Sequence, residues 1–323
     1  MFSRRLVALP FFLAITALGA SYGALLGAAP TSLTQQGLIS WYKNSLKAEE
    51  NTLKTELFTL VGIENQDEWL KIKRDWRPEY AQLCIGWGLN ELTPETPFPE
   101  IISTPILELL GEQKIQKLLG ISQVEKTEDN MLITATKKDG QKIKFCCDKK
   151  LCADAATSQF TVHVNPDVLL ETHKTPAEMK ATIAHELVHI THEDPLDLFC
   201  IDLVYRYRKN LVKTPRKKFR KTRGMWERFQ EKRADILSGL IDIEYAQAHQ
   251  NHFERNMPKK EKLKLTSTHP TDRQRHEYIS KLVKDMEHAK SDPDYTLLAC
   301  LALITLLLLF ALLSAKIKSR NQR

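Results

Sequence analysis

The spacing of apolar residues predicts a helical region in the first third of the chain. Apolar positions recur with a helical period over residues 38–63, 68–83 and 106–119. Several prolines interrupt the sequence between the last two segments or at their edges: Pro94, Pro97, Pro99 and Pro105. We therefore predict a helical N-terminal region over residues 30–125, with a proline-rich connection inside it.

The pattern changes at Met131, where apolar and polar residues alternate up to Cys147 on either side of Asp139-Gly140. This alternation predicts a β-hairpin, and the stretch QFTVHV predicts a further strand. Helical spacing returns over residues 175–193, 225–249 and 271–288. The order of elements predicts an α+β domain over residues 126–294, with a small antiparallel sheet.

Two runs without any charged residue lie near the ends of the chain, at residues 6–29 and 297–315. Each is long enough to cross a bilayer, so we predict a transmembrane helix at each end. Residues 1–29 would be an anchor or a cleaved signal peptide, and the absence of a clear A-x-A site favours the anchor. Residues 295–316 would form the second helix, followed by a basic tail at 317–323.

The charges of the two tails account for most of the net charge. The chain has 47 Lys and Arg, and without the six in the tails 41 remain against 40 Asp and Glu. The nearly neutral domain makes nucleic acid an unlikely partner class. The positive-inside rule places both ends in the cytoplasm and the domain on the other, non-cytoplasmic side of the membrane.

Cysteine usage leaves two interpretations open. Cys146, Cys147 and Cys152 are close enough in sequence for one disulfide in an oxidising compartment, and they would equally serve as small buried side chains. The chain has no C-x-x-C pair, which disfavours a cysteine zinc ribbon.

The run KATIAHELVHITHEDP, residues 180–195, carries the candidate chemistry. Upstream, Thr175 to Glu178 reads as a capping box with proline at the first helical position. His185 and His189 would lie one turn apart on one helix face, where both can bind Zn²⁺ at about 2.0–2.1 Å. Glu186 would lie beside the open coordination position as general base. His192 and Asp194 are interpreted as the frayed end of this helix.

A third ligand is needed, and WERFQEKRADILSGL provides a candidate. Glu231 and Asp235 are four residues apart on this predicted helix and thus share a face. Glu231 can complete a His-His-Glu set, and Asp235 can accept the second N–H of a ligating imidazole. The alternative is an exposed charged turn in which Glu231 pairs with Lys232 or Arg228.

The motifs HELVH, EKRAD and STHPTDRQR resemble, in this order, those of membrane-associated gluzincin peptidases of the HtpX and CAAX prenyl endopeptidase type. The resemblance covers roughly residues 130–285. It implies a zincin-like fold and a zinc endopeptidase acting on membrane or misfolded proteins. It implies that His185, His189 and Glu231 are the zinc ligands, that Glu186 is the general base, and that Asp235 lies beside a ligand.

The resemblance also implies roles for other residues. His269 would lie near the site and donate to the oxyanion of the reaction, and Arg275 would be a structural or carboxylate-pairing residue. The alternative for His269-Pro270 is the N-terminal turn of a helix. The strand QFTVHV, with Phe160, Val162 and Val164, matches the edge strand on which such enzymes bind an extended substrate. Its residues could equally be ordinary sheet core.

Two stretches have no assigned role in this scheme. Residues 205–223 form a strongly basic sequence interleaved with aromatics, which we interpret as a loop facing a membrane surface or a substrate rather than nucleic acid. His249 and His252 could bind metal, although solvent-facing positions are favoured.

The sequence thus predicts an integral membrane zinc endopeptidase of a bacterial inner membrane, with protein or peptide substrates and the lipid bilayer as partners. Two alternatives are a catalytically inactive binding protein on the same scaffold and a zinc hydrolase of a non-peptide substrate.

Overall fold

The computed structural model describes residues 34–86, 96–151, 153–158, 160–173, 175–257 and 270–291. Within these ranges, no helix combines the length and the apolar character needed to cross a bilayer. The predicted transmembrane helix at each end therefore has no counterpart in the described part of the chain. The segments 1–29, 295–316 and 317–323 lie outside the described residues.

The N-terminal region is helical, as predicted. Its helices are α1 (Gln35–Val61), α2 (Gln66–Gly86), α3 (Glu100–Gly111) and α4 (Gln113–Leu119). The single helix predicted over residues 106–119 is two helices, because Glu112 between them adopts an extended conformation. Gly120 ends α4 in the left-handed region, with φ +66°, where glycine has no steric penalty.

The sheet is mixed, so the prediction of an antiparallel sheet is wrong. Its strands are β1 (Ile121–Lys126), β2 (Leu132–Lys137), β3 (Lys142–Cys147), β4 (Ala155–Ser158) and β5 (Thr161–Val164). They lie in the order β1-β2-β3-β5-β4. All neighbouring pairs are antiparallel except β3 and β5, which are parallel. The cause is the path of the chain, which runs past β3 to form β4 at the edge and then returns through β5 between the two.

The predicted hairpin turn at Asp139-Gly140 is confirmed. It connects β2 to β3, and Gly140 has φ +82°. The N–H of Lys137 donates to the carbonyl of Gln141 at 2.8 Å, and the Asp139 carboxylate accepts from the N–H of Gln141 at 3.0 Å. The first strand begins at Ile121, so the predicted domain boundary at 125/126 falls inside β1.

The remaining elements are α5 (Pro166–Thr172), α6 (Pro176–His192), α7 (Asp194–Val212), α8 (Arg216–Gly239), α9 (Ile243–Asn256) and α10 (Asp272–Ser291). The predicted basic loop at 205–223 is wrong, because α7 and α8 are separated by only three residues. Their basic side chains lie on outer faces, while Tyr205 of α7 stacks on Phe219 of α8 with ring centroids 3.7 Å apart. The many charged residues on the outer faces of these two helices gave the segment the composition of a loop, although its apolar residues follow a helical period.

The helix α6 lies in the main hydrophobic core, where it packs against the sheet and against α3, α8 and α9. Leu187 and Ala184 are fully buried, as are Phe145 and Val162 of the sheet. Full burial of one leucine contributes about 1.5–3 kcal/mol, and Leu187→Ala would cost about 2–5 kcal/mol. The packing therefore fixes α6 rigidly, and with it the HELVH sequence. Residues 42–284 form one compact unit that contains the candidate site.

Candidate metal centre

The structure brings the three predicted ligands together. Nε2 of His185 lies 3.0 Å from Nε2 of His189, one turn further along α6. Glu231 reaches them from α8, with one carboxylate oxygen 3.4 Å from Nε2 of His185 and the other 3.6 Å from Nε2 of His189. Two donors about 2.05 Å from a tetrahedral metal lie about 3.3 Å apart, so the separations suit a zinc ion.

The start of α6 follows from the local sequence. The Thr175 hydroxyl accepts from the N–H of Glu178 at 3.2 Å, and Pro176 occupies the first turn, as predicted. The carboxylate of Glu178 does not return to Thr175, as a full capping box would require. It forms two bonds of 2.7 and 2.8 Å with Arg255 of α9. This pair connects the first turn of α6 to α9.

His185 is oriented by Asp235, which lies one turn beyond Glu231 on α8. Nδ1 of His185 lies 2.8 Å from Oδ1 of Asp235, an ion-pair contact at hydrogen-bond distance whose alignment is not that of a hydrogen bond. Arg275 of α10 binds both oxygens of the same carboxylate, at 2.6 and 2.8 Å, and the hydroxyl of Tyr278 donates to it as well. Asp235 is therefore buried yet fully paired. Helical spacing predicted the place of Asp235, and the family resemblance implied that of Arg275.

His189 is oriented by Asp194, a residue that sequence reasoning had assigned to a frayed helix end. Oδ2 of Asp194 lies 2.8 Å from Nδ1 of His189, and Asp194 is only 3 % exposed. Arg233 and Gln230 of α8 bind the other oxygen. The frayed-end interpretation is wrong because Glu193 turns the chain with φ +56° and a new helix begins at Asp194.

A signal for this second helix was present in the sequence. Asp194-Pro195 is typical of a helix start, because proline fits the first turn, where its missing N–H costs no hydrogen bond. His192, the last residue of α6, is half-buried, and burial lowers its pKa to about 4. The helix end is thus ordered and packed.

The chemistry of the donor set fits a cation. Each ligand histidine faces a carboxylate through Nδ1, which favours the tautomer with the proton on Nδ1. The two Nε2 lone pairs then converge with the Glu231 carboxylate in a buried space. These nitrogen and carboxylate lone pairs repel one another in a buried space, so a positive charge between them is needed to stabilise the arrangement. His185, His189 and Glu231 are therefore suited to hold Zn²⁺.

The electrostatics of the surrounding groups agree with this interpretation. Burial favours the neutral form of His185, but the carboxylates of Asp235 and Glu231 outweigh it and raise its pKa to about 10 when no metal is present. Burial works against the charge of Asp235 too, yet Arg275 and His185 hold the pKa of its carboxyl well below the usual range. The site thus attracts one positive charge to the imidazole nitrogens.

Glu186 lies beside the ligands on α6 and is held by the sheet. The Thr157 hydroxyl, on β4, donates to the Glu186 carboxylate. The same hydroxyl lies 3.3 Å from the Glu186 carbonyl oxygen. The hydrogen bond from β4 orients the glutamate side chain, which is half-buried and so remains partly accessible to solvent. Sequence reasoning missed Thr157, because no local pattern connects it to α6.

The prediction that QFTVHV is an edge strand is wrong. β5 pairs with β3 on one side and with β4 on the other, and Val162 and Val164 are fully buried in the core. Phe160, just before the strand, packs against the same core. The edge strand next to the candidate site is β4, which pairs only with β5 among the described residues.

Other sequence-predicted residues are placed as follows. His269 lies outside the described residues. His249, expected to face solvent, is 5 % exposed and lies 2.9 Å from the Ser238 hydroxyl; burial lowers its pKa to about 3. His252 is half-buried rather than solvent-facing, beside Asp154 and His173.

The disulfide interpretation gains no support from the described cysteines. Cys146 and Cys147 are buried free thiols, and burial raises the pKa of each to about 12. They serve as small core side chains, which was one of the two open interpretations. Cys152 lies outside the described residues.

Comparison with known proteins shows a similarity for the part of the chain that contains this site. The sequence model of Peptidase family M48 matches residues 156–283, which include β5, the helices that carry the ligands, and Arg275. No curated protein and no solved structure matches the chain. Residues 156–283 are thus similar to the peptidase domain of family M48, and this similarity supports a metallopeptidase function for the chain.

Proposed function

We propose that this protein is a zinc-dependent endopeptidase whose general base is Glu186. The observation that carries the proposal is the convergence of three ligand atoms beside a half-buried glutamate. Each ligand histidine is also backed by a buried carboxylate that is paired with an arginine. An exposed chance cluster of charged residues would lack this support, which orients the rings.

The residues of the chain have distinct roles in this proposal. His185, His189 and Glu231 hold the metal, and Asp235 and Asp194 keep the rings in the ligating tautomer. Bound zinc supplies Lewis acidity, which polarises the peptide carbonyl and makes water nucleophilic at neutral pH. Glu186 takes the proton from the attacking water and delivers it to the leaving amine nitrogen. Thr157 orients the Glu186 carboxylate for both transfers.

The proposed substrate is an extended peptide segment of an unfolded or membrane protein. β4 carries Thr157, which holds Glu186, and its other edge has no partner strand among the described residues. A peptide added to this edge would pass the catalytic glutamate in a fixed register, because backbone pairing sets the spacing. A folded protein offers few such free segments, so unfolded chains are favoured.

The test compares zinc-loaded and chelated protein on a denatured protein substrate. We expect cleavage by the full chain, loss of cleavage on chelation and recovery when zinc is added back. Glu231→Gln should weaken zinc binding and cleavage together, whereas Glu254→Gln, an exposed residue of α9, should change neither. Full cleavage by the chelated protein would rule out a metal mechanism.

The proposed location is a bacterial inner membrane, with the domain on the non-cytoplasmic side and the lipid bilayer as a partner. Its support is the distribution of charge along the sequence. Fractionation of cells tests it, together with the accessibility of the domain to added protease. Recovery of the protein in the soluble fraction would contradict it.

A further inference from the structure

A second group of ligand-type side chains lies outside the catalytic site. It consists of Asp154 before β4, His173 after α5 and His252 on α9. One ligand atom from each lies within 4.8 Å of the others. Oδ2 of Asp154 is 3.6 Å from Nε2 of His173, and the two imidazole rings are stacked with centroids 4.8 Å apart. None of the three takes part in the proposed mechanism.

Asp154 and His173 are held in orientations that present ligand atoms to this space. Oδ1 of Asp154 accepts from the N–H of Ala155 at 2.9 Å, which leaves Oδ2 facing His173. Nδ1 of His173 lies 3.2 Å from the carbonyl oxygen of Leu169 and 2.7 Å from the Thr172 hydroxyl, and the tautomer with the proton on Nδ1 can donate to either oxygen. The lone pair of Nε2 then faces Asp154 and the hydroxyl of Thr182, which is 2.6 Å away. His173 is 3 % exposed, so its ring is fixed.

His252 contributes an unpaired buried atom. Its Nδ1 is shielded from solvent, and no hydrogen-bond partner within the described ranges reaches it. Its Nε2 lies 3.0 Å from the side-chain amide nitrogen of Asn256, one turn further along α9. With this amide turned so that its oxygen faces the ring, Nε2–H donates to it and Nδ1 keeps its lone pair for a metal. A buried ring nitrogen without a partner is costly, and a metal ion is one of the few groups that would satisfy it.

We propose that Asp154, His173 and His252 form a second site for a divalent cation of the Zn²⁺ type. Two imidazole nitrogens and one carboxylate oxygen are a common ligand set for this ion. The separation of 3.6 Å between Asp154 and His173 suits two ligands of one metal. The fourth position would be filled by water or by the Thr182 hydroxyl.

The two arginines that lower the pKa of His252 are each paired with a carboxylate. Arg255 is bound by both oxygens of Glu178, and Arg275 by both oxygens of Asp235. Burial lowers the pKa of His173 and also that of His252, the latter to about 4. Both rings are therefore neutral at pH 7, which is the form that binds a metal.

The position suggests what the ion would do. Asp154 lies three residues before Thr157, which holds Glu186, and Thr182 lies one turn before His185 on α6. A metal here would fasten the start of β4 to α9 and to the end of α5. It would stabilise the edge strand and the Thr157 hydroxyl, and so act on the catalytic site through position alone.

The test measures metal content and needs no activity. Full-length protein without a histidine tag is loaded with Zn²⁺, desalted and assayed for zinc per chain. We expect His252→Gln, and separately Asp154→Asn, to lose about one equivalent. His276→Gln, a histidine outside both clusters, is the matched control and should lose none. Circular dichroism identifies any variant that fails to fold. If His252→Gln fails to fold, the zinc content of Asp154→Asn decides between the outcomes.

The outcomes separate this inference from the proposed function. If the catalytic site is not a zinc site, His252→Gln still lowers the zinc content by one equivalent. If the stacked rings serve packing alone, both variants keep the zinc content of the unmodified protein, and the second site is rejected. X-ray absorption of the zinc in a Glu231→Gln background should show nitrogen and oxygen ligands only.

Discussion

Oδ2 of Asp194 lies 2.8 Å from Nδ1 of His189, although the aspartate begins one helix and the histidine belongs to the helix before it. The left-handed turn at Glu193 brings α7 back towards α6 and so makes the contact. A matching contact joins Asp235 to His185 at the same distance. Both aspartates are in turn bound by an arginine, so each ligand ring is oriented by a carboxylate that is itself held in place.

Replacing Asp194 tests whether it orients a ligand. Asp194→Asn removes the charge behind His189 with little change of shape, so we expect a loss of about 10–100-fold in zinc affinity. Competition with a chromogenic chelator measures this. Asp202→Asn, on the same helix in a surface ion pair with Arg223, is the control and should leave the affinity unchanged. Equal affinities for both variants would contradict the assigned role.

Replacing Arg275 tests the buried ion pair. Arg275→Gln leaves the carboxylate of Asp235 buried without its main countercharge, and we expect the free energy of unfolding to fall by about 3–5 kcal/mol. Denaturant unfolding measures this, with Arg273→Gln as an exposed control on α10. Adding Asp235→Asn should restore part of the stability but not the zinc affinity. Recovery of both would argue against the orienting role of Asp235.

Thr157→Val tests whether the hydrogen bond from β4 positions the catalytic glutamate. A hydrogen bond to a charged group is worth about 1.5–3 kcal/mol, so we expect kcat to fall about tenfold or more. KM and zinc content should change little, because the substitution alters neither the zinc ligands nor the backbone of the strand edge. Thr134→Val, on β2, is the matched control and should behave as the unmodified protein. An unchanged kcat for Thr157→Val would remove Thr157 from the mechanism.

Substrate pairing with β4 is tested on the peptide rather than on the protein. N-methylation removes one backbone donor at a time, and in a paired strand only alternate residues donate to a given neighbour. We expect kcat/KM to fall at every second methylated position near the scissile bond. A series without this alternation would indicate that the peptide does not bind as a strand.

The local features of the site could be predicted from sequence, because they depend on neighbours along the chain. The start of α6 follows from Thr175 and Pro176, and the shared face of Glu231 and Asp235 from helical spacing. Strand order could not be predicted, because the place of β5 depends on pairing with β3, whose partners are distant in sequence. The same holds for Thr157, which meets Glu186 across 29 residues.

Asp194 shows a different limit. Its contact with His189 depends on the positive φ of Glu193. Glutamate rarely adopts this conformation, and no glycine at this position marks the turn in the sequence. Salt bridges from Glu193 to Lys73 and Arg77 of α2 hold this turn, and only the folded structure reveals them. The functional contact is thus fixed by an element more than a hundred residues upstream.

The most direct test of the account is the Glu186→Gln variant of the full chain. Glutamine keeps the shape but cannot take a proton, so we predict that zinc content stays at the level of the unmodified protein. Cleavage of an unfolded protein should then fall by about 10²–10⁴-fold. Cleavage at the unmodified rate, with zinc retained, would show that Glu186 is not the base and would contradict the proposed mechanism.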